Sequence, residues 1–261
     1  MLLVVDVGNT ETTIGLADAH HVTTHWRVVT STARTPHEHA VLLRSLLALA
    51  EVPPAAVTGA AVGSVVPAVT AALLEGIAIA FAVDAVTVDA TSPLPITLDV
   101  DEPQTVGADR IINTLAASRL YDRDCIVVDL GTATTYDCIT RDGVFLGGVI
   151  APGVVTSLET LTRRTSKLPA TELRTPKRVI GRRTEECIRS GVVYGAVESI
   201  SGIVTRIRAE WPTAREPLVI GTGGLAAMLA PICPALEVVD PDLTLRGLLL
   251  AYRILRSDAI E

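Results

Sequence analysis

Aromatic residues are scarce in this chain, and there is no excess of positive charge. The 261 residues include only 2 Trp, 4 Tyr and 2 Phe, although 49% of the residues are hydrophobic. We therefore expect a core of Val, Leu, Ile and Ala, in one large domain or two of ordinary size. The 22 basic and 29 acidic residues give a net charge of −7. That sign argues against a nucleic-acid-binding protein, which normally carries a basic face.

Neither the cysteines nor the histidines form a metal-binding pattern. The four cysteines are scattered, with no CxxC pair, so free thiols in a reducing cytoplasm are expected. All five histidines fall between His20 and His39. Since His37 and His39 cannot share one helix face, we expect a solvated surface there rather than a metal site.

No apolar run approaches the length of a membrane span, and no signal peptide precedes the first apolar run. A cytoplasmic protein is therefore expected. We expect it to bind neither membrane nor nucleic acid.

One short motif occurs twice, once in each half of the chain. Residues 4–10 read VVDVGNT, and residues 127–133 read VVDLGTA. Each copy is an apolar run, typical of a buried strand, that ends in Asp, an apolar residue and Gly. A carboxylate, amides and hydroxyls at such a turn suit a cation and phosphate oxygens. One copy alone is more often an ordinary turn, but two copies at matching places predict a duplicated nucleotide-binding domain.

The first half of the chain has the pattern of an α/β half-domain. Strands are predicted at 2–7, 12–16, 22–29, 59–66 and 86–88. Thr35 and Glu38 form the pattern of a capping box at the start of one helix, and Pro67 begins another.

The second half repeats this plan and ends in a glycine-rich turn. A strand through Ile139 and strands over 143–150 and 218–220 are predicted, and a long helix from Thr184 to just before Pro212. Three glycines in that helix, Gly191, Gly195 and Gly202, each cost roughly 1 kcal/mol of helix propensity, so close packing is expected to compensate. The turn 221–224 could admit a nucleotide base or sugar, although such turns also serve simple packing.

Residues 92–108 form an acidic, proline-punctuated loop that leads into a helix at Asp109. Spacing alone favours Asp109 as the N-cap of that helix. Arg110 beside it makes an acid–base pair suited to a small anionic ligand.

Together these segments resemble the type III pantothenate kinase family, which belongs with actin, hexokinase and the heat-shock chaperone ATPase. The resemblance runs from residue 4 to about residue 252, with the motifs in the family's order. Its motifs are DVGNT from Asp6, VGADR from Val106, VVDLGTATT from Val127, FLGGVIAPG from Phe145, GRRT from Gly181 and TGGL from Thr222. The VGADR and FLGGVIAPG segments are the most specific of these motifs.

The resemblance implies a duplicated ribonuclease H-like (actin-like ATPase) α/β fold. Two similar half-domains, 1–115 and 116–261, would hold an ATP cleft between them. The implied activity is ATP-dependent phosphorylation of pantothenate to 4′-phosphopantothenate, the first step of coenzyme A biosynthesis.

Roles for individual residues also follow from the resemblance. Asp109 would be the catalytic base, which outweighs the N-cap interpretation, and Asp129 would hold a monovalent cation, K⁺ or NH₄⁺, with Mg²⁺ accompanying ATP. The ATP-binding residues would be Asp6, Val7, Gly8, Asn9, Thr10, Glu11, Thr12, Thr13 and Thr132. The pantothenate-binding residues would be Gly107, Ala108, Asp109, Arg110, Val100 (where many members of the family carry Tyr) and Thr184, reaching in from the partner of a homodimer.

Three alternatives stay open at this stage. A kinase of another small sugar or hydroxy acid is argued against by the Gly-Ala-Asp-Arg segment. A non-catalytic regulator would be expected to have lost Asp6 or the Asp109–Arg110 pair, and both are present. An actin-like filament protein is disfavoured by the short chain.

Overall fold

The computed structural model describes residues 1–257, which form two compact units. The first unit contains Met1–Arg119 and the chain from Asp242 onward, and the second contains Leu120–Pro241. The sequence-based division into 1–115 and 116–261 assigned the C-terminal segment to the second half. The difference arises because Leu245, Leu248 and Leu249 pack in one apolar cluster with residues of the first strand.

The first unit contains a five-stranded sheet, helices and one further two-residue strand that is not part of this sheet. Its elements are β1 (Leu2–Val7), β2 (Glu11–Ala17), β3 (Val22–Val29), α1 (Pro36–Leu49), β4 (Gly59–Ser64), α2 (Pro67–Phe81), β5 (Ala85–Val88), β6 (Thr97–Leu98) and α3 (Ala108–Tyr121). The strand order in the sheet is β3-β2-β1-β4-β5. β1 and β2 are antiparallel, whereas β4 runs parallel to β1 and pairs Val7 with Ser64.

Helices cover both faces of β1, which explains its unbroken apolar run. On one face Leu3, Val5 and Val7 pack with buried leucines of α1 and α2. On the other face Leu2 and Val4 pack with α3 and with the C-terminal helix Leu243–Ser257. β3 has alternating exposure instead, as expected of an edge strand.

The start of α1 confirms one prediction and corrects another. The capping box is present: Glu38 N donates to Thr35 Oγ1 at 3.3 Å, and Thr35 N donates to Glu38 Oε2 at 2.7 Å. The prediction of solvated histidines is wrong for His39, which is only 4% exposed. Its ring is buried where α1 meets Gly76 of α2, and burial lowers its pKa.

The second unit repeats the strand plan of the first. Its elements are β7 (Cys125–Leu130), β8 (Ala133–Ile139), β9 (Val144–Pro152), α4 (Val154–Arg164), α5 (Thr184–Ala209), β10 (Leu218–Thr222), α6 (Ala226–Leu229) and β11 (Val238–Val239), and the last helix, α7 (Leu243–Ser257), belongs to the first unit. Five of its strands lie in the order β9-β8-β7-β10-β11. β7 pairs antiparallel with β8 and parallel with β10, as β1 does with β2 and β4. The prediction of a duplicated α/β fold is confirmed.

By length and composition alone, the 26-residue helix α5 is long and apolar enough to cross a membrane. This differs from the expectation that no segment approaches the length of a membrane span. Its apolar positions Ile188, Val193 and Ile200 lie in the core of the second unit with Ile126 and Val128 of β7. That arrangement is typical of the core helix of a globular unit.

The glycines of α5 do not pack as the sequence analysis expected. A Cβ atom at Gly191, Gly195 or Gly202 would have no neighbour within 4 Å in the described chain. The helix therefore has a bare glycine face that this chain leaves uncovered.

Gly76 gives a test of the α1–α2 contact. In Gly76→Ala the new Cβ would lie 2.6 Å from His39 Cβ and 2.8 Å from Pro36 O, so the two helices must separate. We expect a loss of about 1–3 kcal/mol in the free energy of unfolding, measured by urea titration. The matched control is Gly202→Ala, which meets no atom and should gain up to ~1 kcal/mol. Equal effects of the two substitutions would contradict the described packing.

Candidate active site

The first phosphate-type loop follows the buried strand β1. Asp6, the next-to-last residue of β1, is partly buried, and Gly8 N donates to Glu11 O at 3.0 Å to close the turn. A Cβ at position 8 would lie 2.9 Å from the same carbonyl oxygen, so only glycine fits without a shift. The turn spans four residues between the paired positions Val7 and Thr12.

Thr30 holds this loop from the neighbouring strand. Its hydroxyl donates to Gly8 O at 2.7 Å and lies 2.8 Å from Thr12 Oγ1, and its backbone N donates to Thr10 O at 2.9 Å. Sequence reasoning missed Thr30, because it follows β3 and belongs to no phosphate-loop pattern. The one sequence signal for Thr30 was the expected antiparallel pairing of β2 and β3, which places the end of β3 beside the start of β2.

The Asp109–Arg110 pair lies at the same edge of the first sheet as this loop. Val65, just past β4, donates its backbone N to Val7 O at 3.1 Å. A Cβ at Gly107 would come within 3.3 Å of Val65 Cγ1 and 2.5 Å of Asp109 Oδ1. The first unit thus places the Gly107–Arg110 segment close to the ends of β1 and β4.

Asp109 is not the N-cap of α3. Gly107 O accepts hydrogen bonds from Arg110 N at 3.1 Å and Ile111 N at 3.2 Å, so Gly107 occupies the cap position. Asp109 lies inside the first turn, and its Oδ1 accepts a hydrogen bond from Arg110 N at 2.8 Å. The N-cap alternative is therefore wrong.

Burial raises the pKa of the Asp109 carboxyl above its ordinary value. The backbone hydrogen bond from Arg110 and the guanidinium charge of Arg110 oppose this shift without cancelling it. A partly desolvated carboxylate beside a fixed positive charge is a common arrangement for a proton acceptor.

The second unit has a shorter turn at the equivalent place. Asp129 is again the next-to-last residue of its strand, and three residues separate the paired positions Leu130 and Thr134. Thr132 O accepts hydrogen bonds from Gly153 N at 3.2 Å and from Thr156 Oγ1 at 2.7 Å. Gly153 must be glycine, because a Cβ there would collide with Thr132 O.

The glycine-rich turn after β10 packs on Asp129. Gly223 has a φ of +82°, and a Cβ there would collide with Asp129 Oδ1 and approach Leu130 N to 2.8 Å. The backbone of this turn therefore lies directly against the Asp129 carboxylate and Leu130. Within residues 1–257 no group of three or more His, Cys, Asp or Glu side chains could hold a metal ion. A cation at Asp129 would accordingly depend on one carboxylate together with other oxygen atoms.

Thr184 belongs to the second unit and Val100 to the first. Thr184 is exposed and is the first residue of α5, with Arg183 rather than Thr184 at the cap position. Val100 is partly buried in the loop after β6.

A groove of about 640 Å³ is lined in part by α5, starting about one helical turn after Thr184. Its lining is mainly apolar and includes Ala151, Val154, Leu161, Gly191 and Gly195. The hydroxyl of buried Tyr136, whose pKa burial raises to about 12, bonds to Ser199 in the same lining.

Comparison with solved structures agrees with the fold. A Campylobacter jejuni protein provisionally described as a Baf family transcriptional activator aligns over 98% of this chain and 99% of its own, with a TM-score of 0.61 at 18% identity. A Sinorhizobium meliloti protein provisionally described as a 2-dehydro-3-deoxygalactonokinase aligns over 97% and 96%, with a TM-score of 0.60 at 15% identity. At these identities the likeness concerns the fold alone.

Sequence comparison identifies the family. The family model for type III pantothenate kinase matches residues 2–206. The type III pantothenate kinase of Thermomicrobium roseum is 41% identical over 252 residues, which cover 97% of this chain and 96% of the relative. That of a Roseiflexus species (strain RS-1) is 42% identical over 257 residues, covering 98% and 100%. Given this match and the geometry above, the chain belongs to the type III pantothenate kinase family.

Proposed function

We propose that this protein phosphorylates pantothenate to 4′-phosphopantothenate with ATP, in the first step of coenzyme A biosynthesis. The observation that carries the proposal is the partly buried Asp109 carboxylate, which lies beside Arg110 at the sheet edge that also carries the Asp6–Gly8 turn. The test is a coupled kinase assay with pantothenate, ATP, Mg²⁺ and K⁺. Turnover of another small hydroxy acid instead would place the protein among other kinases of this fold, and no turnover of any such substrate would favour a regulator.

The two turns would bind the phosphates of ATP. Residues 6–13 would supply backbone N–H groups and hydroxyls from the first unit, and Thr132 would contribute from the second. A tight turn with its amides exposed favours anions without adding a side-chain charge.

Pantothenate would bind along Gly107–Arg110, with its carboxylate on the Arg110 guanidinium. Asp109 would accept the proton of the primary hydroxyl as the phosphoryl group arrives. Because phosphoryl transfer has a loose transition state, proton loss comes late and a carboxylate base suffices. Most of the rate would come from holding the hydroxyl in line with the phosphate.

The acidic side chains fit hard cations. Mg²⁺ is usually held by one or two carboxylates and the phosphates themselves, a role open to Asp6 and Asp129. Asp129, whose Oδ1 lies against the backbone at Gly223, would contribute one carboxylate oxygen to a K⁺ or NH₄⁺ site. These cations would neutralise phosphate charge when bound.

A homodimer would complete the pantothenate pocket. The uncovered face of α5 with Gly191 and Gly195 lines an apolar groove, and exposed Ile180 and Val179 precede the helix. A second copy, related by a two-fold axis, is the occupant we propose for this groove. Thr184, at the start of the same helix, would then reach the partner's pantothenate.

We further propose a cytoplasmic location without nucleic-acid or membrane partners. All four cysteines are free in the structure, which fits a reducing compartment. The net charge of −7 and the packed apolar face of α5 support the same proposal.

Asp109→Asn should separate catalysis from stability. We expect kcat to fall by roughly 10²–10⁴-fold, the usual contribution of a general base, while ATP still binds. The free energy of unfolding at pH 7 should be unchanged or higher, because the raised pKa means that burying the charged carboxylate costs stability above that pKa. In the wild type, kcat/KM should decline as pH falls through this raised pKa, above the ordinary value near 4, since only the unprotonated carboxylate accepts a proton. Near-normal turnover by the Asn variant would show that Asp109 is not the base.

Activity should require a monovalent cation that Asp129 helps to hold. Replacing K⁺ with Na⁺ at constant Mg²⁺ and ionic strength should slow wild-type turnover by about 10-fold or more, equivalent to ~1.4 kcal/mol in the barrier. Asp129→Asn should be slow in both salts. A wild-type rate that is indifferent to the cation would contradict this role and would leave Mg²⁺ as the ion that Asp129 serves.

A shared pocket predicts complementation between two inactive variants. In a mixed dimer of Asp109→Asn and Thr184→Ala chains, one site holds both lesions and the other is wild type. We expect verified heterodimers to recover up to half of the wild-type activity, although each homodimer is impaired. Absence of recovery would mean that each site is built within one chain.

The glycine face provides the control for this experiment. Gly195→Leu should block the groove and yield monomers in sedimentation analysis, because Gly195 lines it. Gly202→Leu, equally free of neighbours but outside that lining, should leave the dimer intact.

A further inference from the structure

Thr30 makes three contacts with the first phosphate-type turn from outside it. Its hydroxyl contacts Gly8 O and Thr12 Oγ1, and its backbone N contacts Thr10 O, all at 2.7–2.9 Å. Thr30 is only partly buried and follows the edge strand β3. Two of these contacts come from the hydroxyl and therefore depend on the side chain, whereas the third comes from the backbone.

Counting protons fixes the direction of each hydroxyl bond. A threonine hydroxyl has one proton and two acceptor lone pairs. Because the Thr30 proton goes to Gly8 O, the contact between the two hydroxyls requires Thr12 to donate and Thr30 to accept. Both hydroxyl protons are therefore already donated. The Thr12 hydroxyl can still accept further hydrogen bonds through its lone pairs, but it cannot donate another.

Peptide geometry then fixes where the backbone N–H groups point. The described residues contain no cis peptide bond, and in a trans peptide the C=O and the following N–H point in opposite directions. With Gly8 O turned toward the Thr30 hydroxyl, Asn9 N–H points away from Thr30. With Thr10 O turned toward Thr30 N, the N–H of the next residue likewise points away.

The consequence is electrostatic. Carbonyl oxygens repel phosphate, whereas N–H groups attract it. The carbonyls of Gly8 and Thr10 are held by Thr30, and that of Glu11 by Gly8 N. All three are thereby withdrawn from any anion that approaches the N–H side of the turn.

We propose that Thr30 is a positioning residue of the ATP phosphate site: it holds the carbonyls of the first turn back so that the N–H groups face the phosphates. The inference rests on the proposed role of this turn in binding ATP. Thr30 itself does not touch the nucleotide in this arrangement.

Thr23 provides a matched control. It lies near the opposite end of β3, and its hydroxyl also donates to a backbone carbonyl, Leu16 O, at 3.0 Å. Thr23→Val and Thr30→Val therefore each remove one hydroxyl that donates to a backbone carbonyl, one in β3 and one just after it, but only the second change affects the turn.

The experiment compares Thr30→Val, Thr30→Ala and Thr30→Ser with Thr23→Val and wild type. For Thr30→Val and Thr30→Ala we expect KM for ATP to rise about 10-fold, as for one misplaced hydrogen bond to a charged group. The KM for pantothenate should stay within about 2-fold. Thr30→Ser, which keeps the hydroxyl, should restore KM for ATP to within about 2-fold of wild type, and Thr23→Val should change neither KM.

Binding of ADP without pantothenate, measured by calorimetry, separates this inference from the proposed function. Wild type and Thr23→Val should bind ADP, while Thr30→Val should bind it more weakly. Inhibition by adenosine, which lacks phosphates, should be equal in all of them. If wild type binds no ADP, the proposed ATP site is wrong. If wild type and Thr30→Val bind ADP equally, or if neither Thr30→Val nor Thr30→Ala folds, Thr30 is structural and this inference alone is overturned.

Discussion

Burial of the two central strands along both faces is the constraint on which the candidate site depends. β1 and β7 have the same burial pattern, with every residue buried except the aspartate next to the end. A strand fixed in this way can deliver a carboxylate to a defined position, because neither face can shift without exposing core. Each strand then turns back immediately, at Gly8 or Gly131, and that turn brings backbone next to the aspartate.

The carboxylates at these turns bear on the proposed need for cations in phosphate binding. Asp6 and Asp129 place negative charge next to the amides that would hold phosphate, in a chain that is already net acidic. At either proposed site, amides alone would not offset a carboxylate and a triphosphate, so bound cations would supply the balance.

Local sequence signals were sufficient for most elements, whereas features set by distant contacts were not predictable. The Thr35–Glu38 capping box and the two Asp–Gly turns depend on a few neighbouring residues, and the structure contains them. The packing of α7 on the first unit depends on contacts that are distant in sequence. An amphipathic pattern predicts a helix but does not specify which sheet the helix covers. The sequence predicted an exposed His39 for a similar reason. Its burial depends on Gly76, some 37 positions later, which allows α2 to approach α1. In the site itself, motif positions were readable, but Thr30 was not, because its role comes from strand pairing.

Burial of Asp109 has two opposite consequences, one for stability and one for basicity. Burial raises its pKa, so the folded protein gives up some stability when this carboxylate is charged. The same desolvation makes the carboxylate a better proton acceptor and strengthens its attraction to a nearby hydroxyl. Arg110 limits the cost, since its charge and backbone N–H favour the ionised form. A more exposed carboxylate would cost less but would also be a weaker base, so in the proposed role of Asp109 the desolvation exchanges stability for basicity.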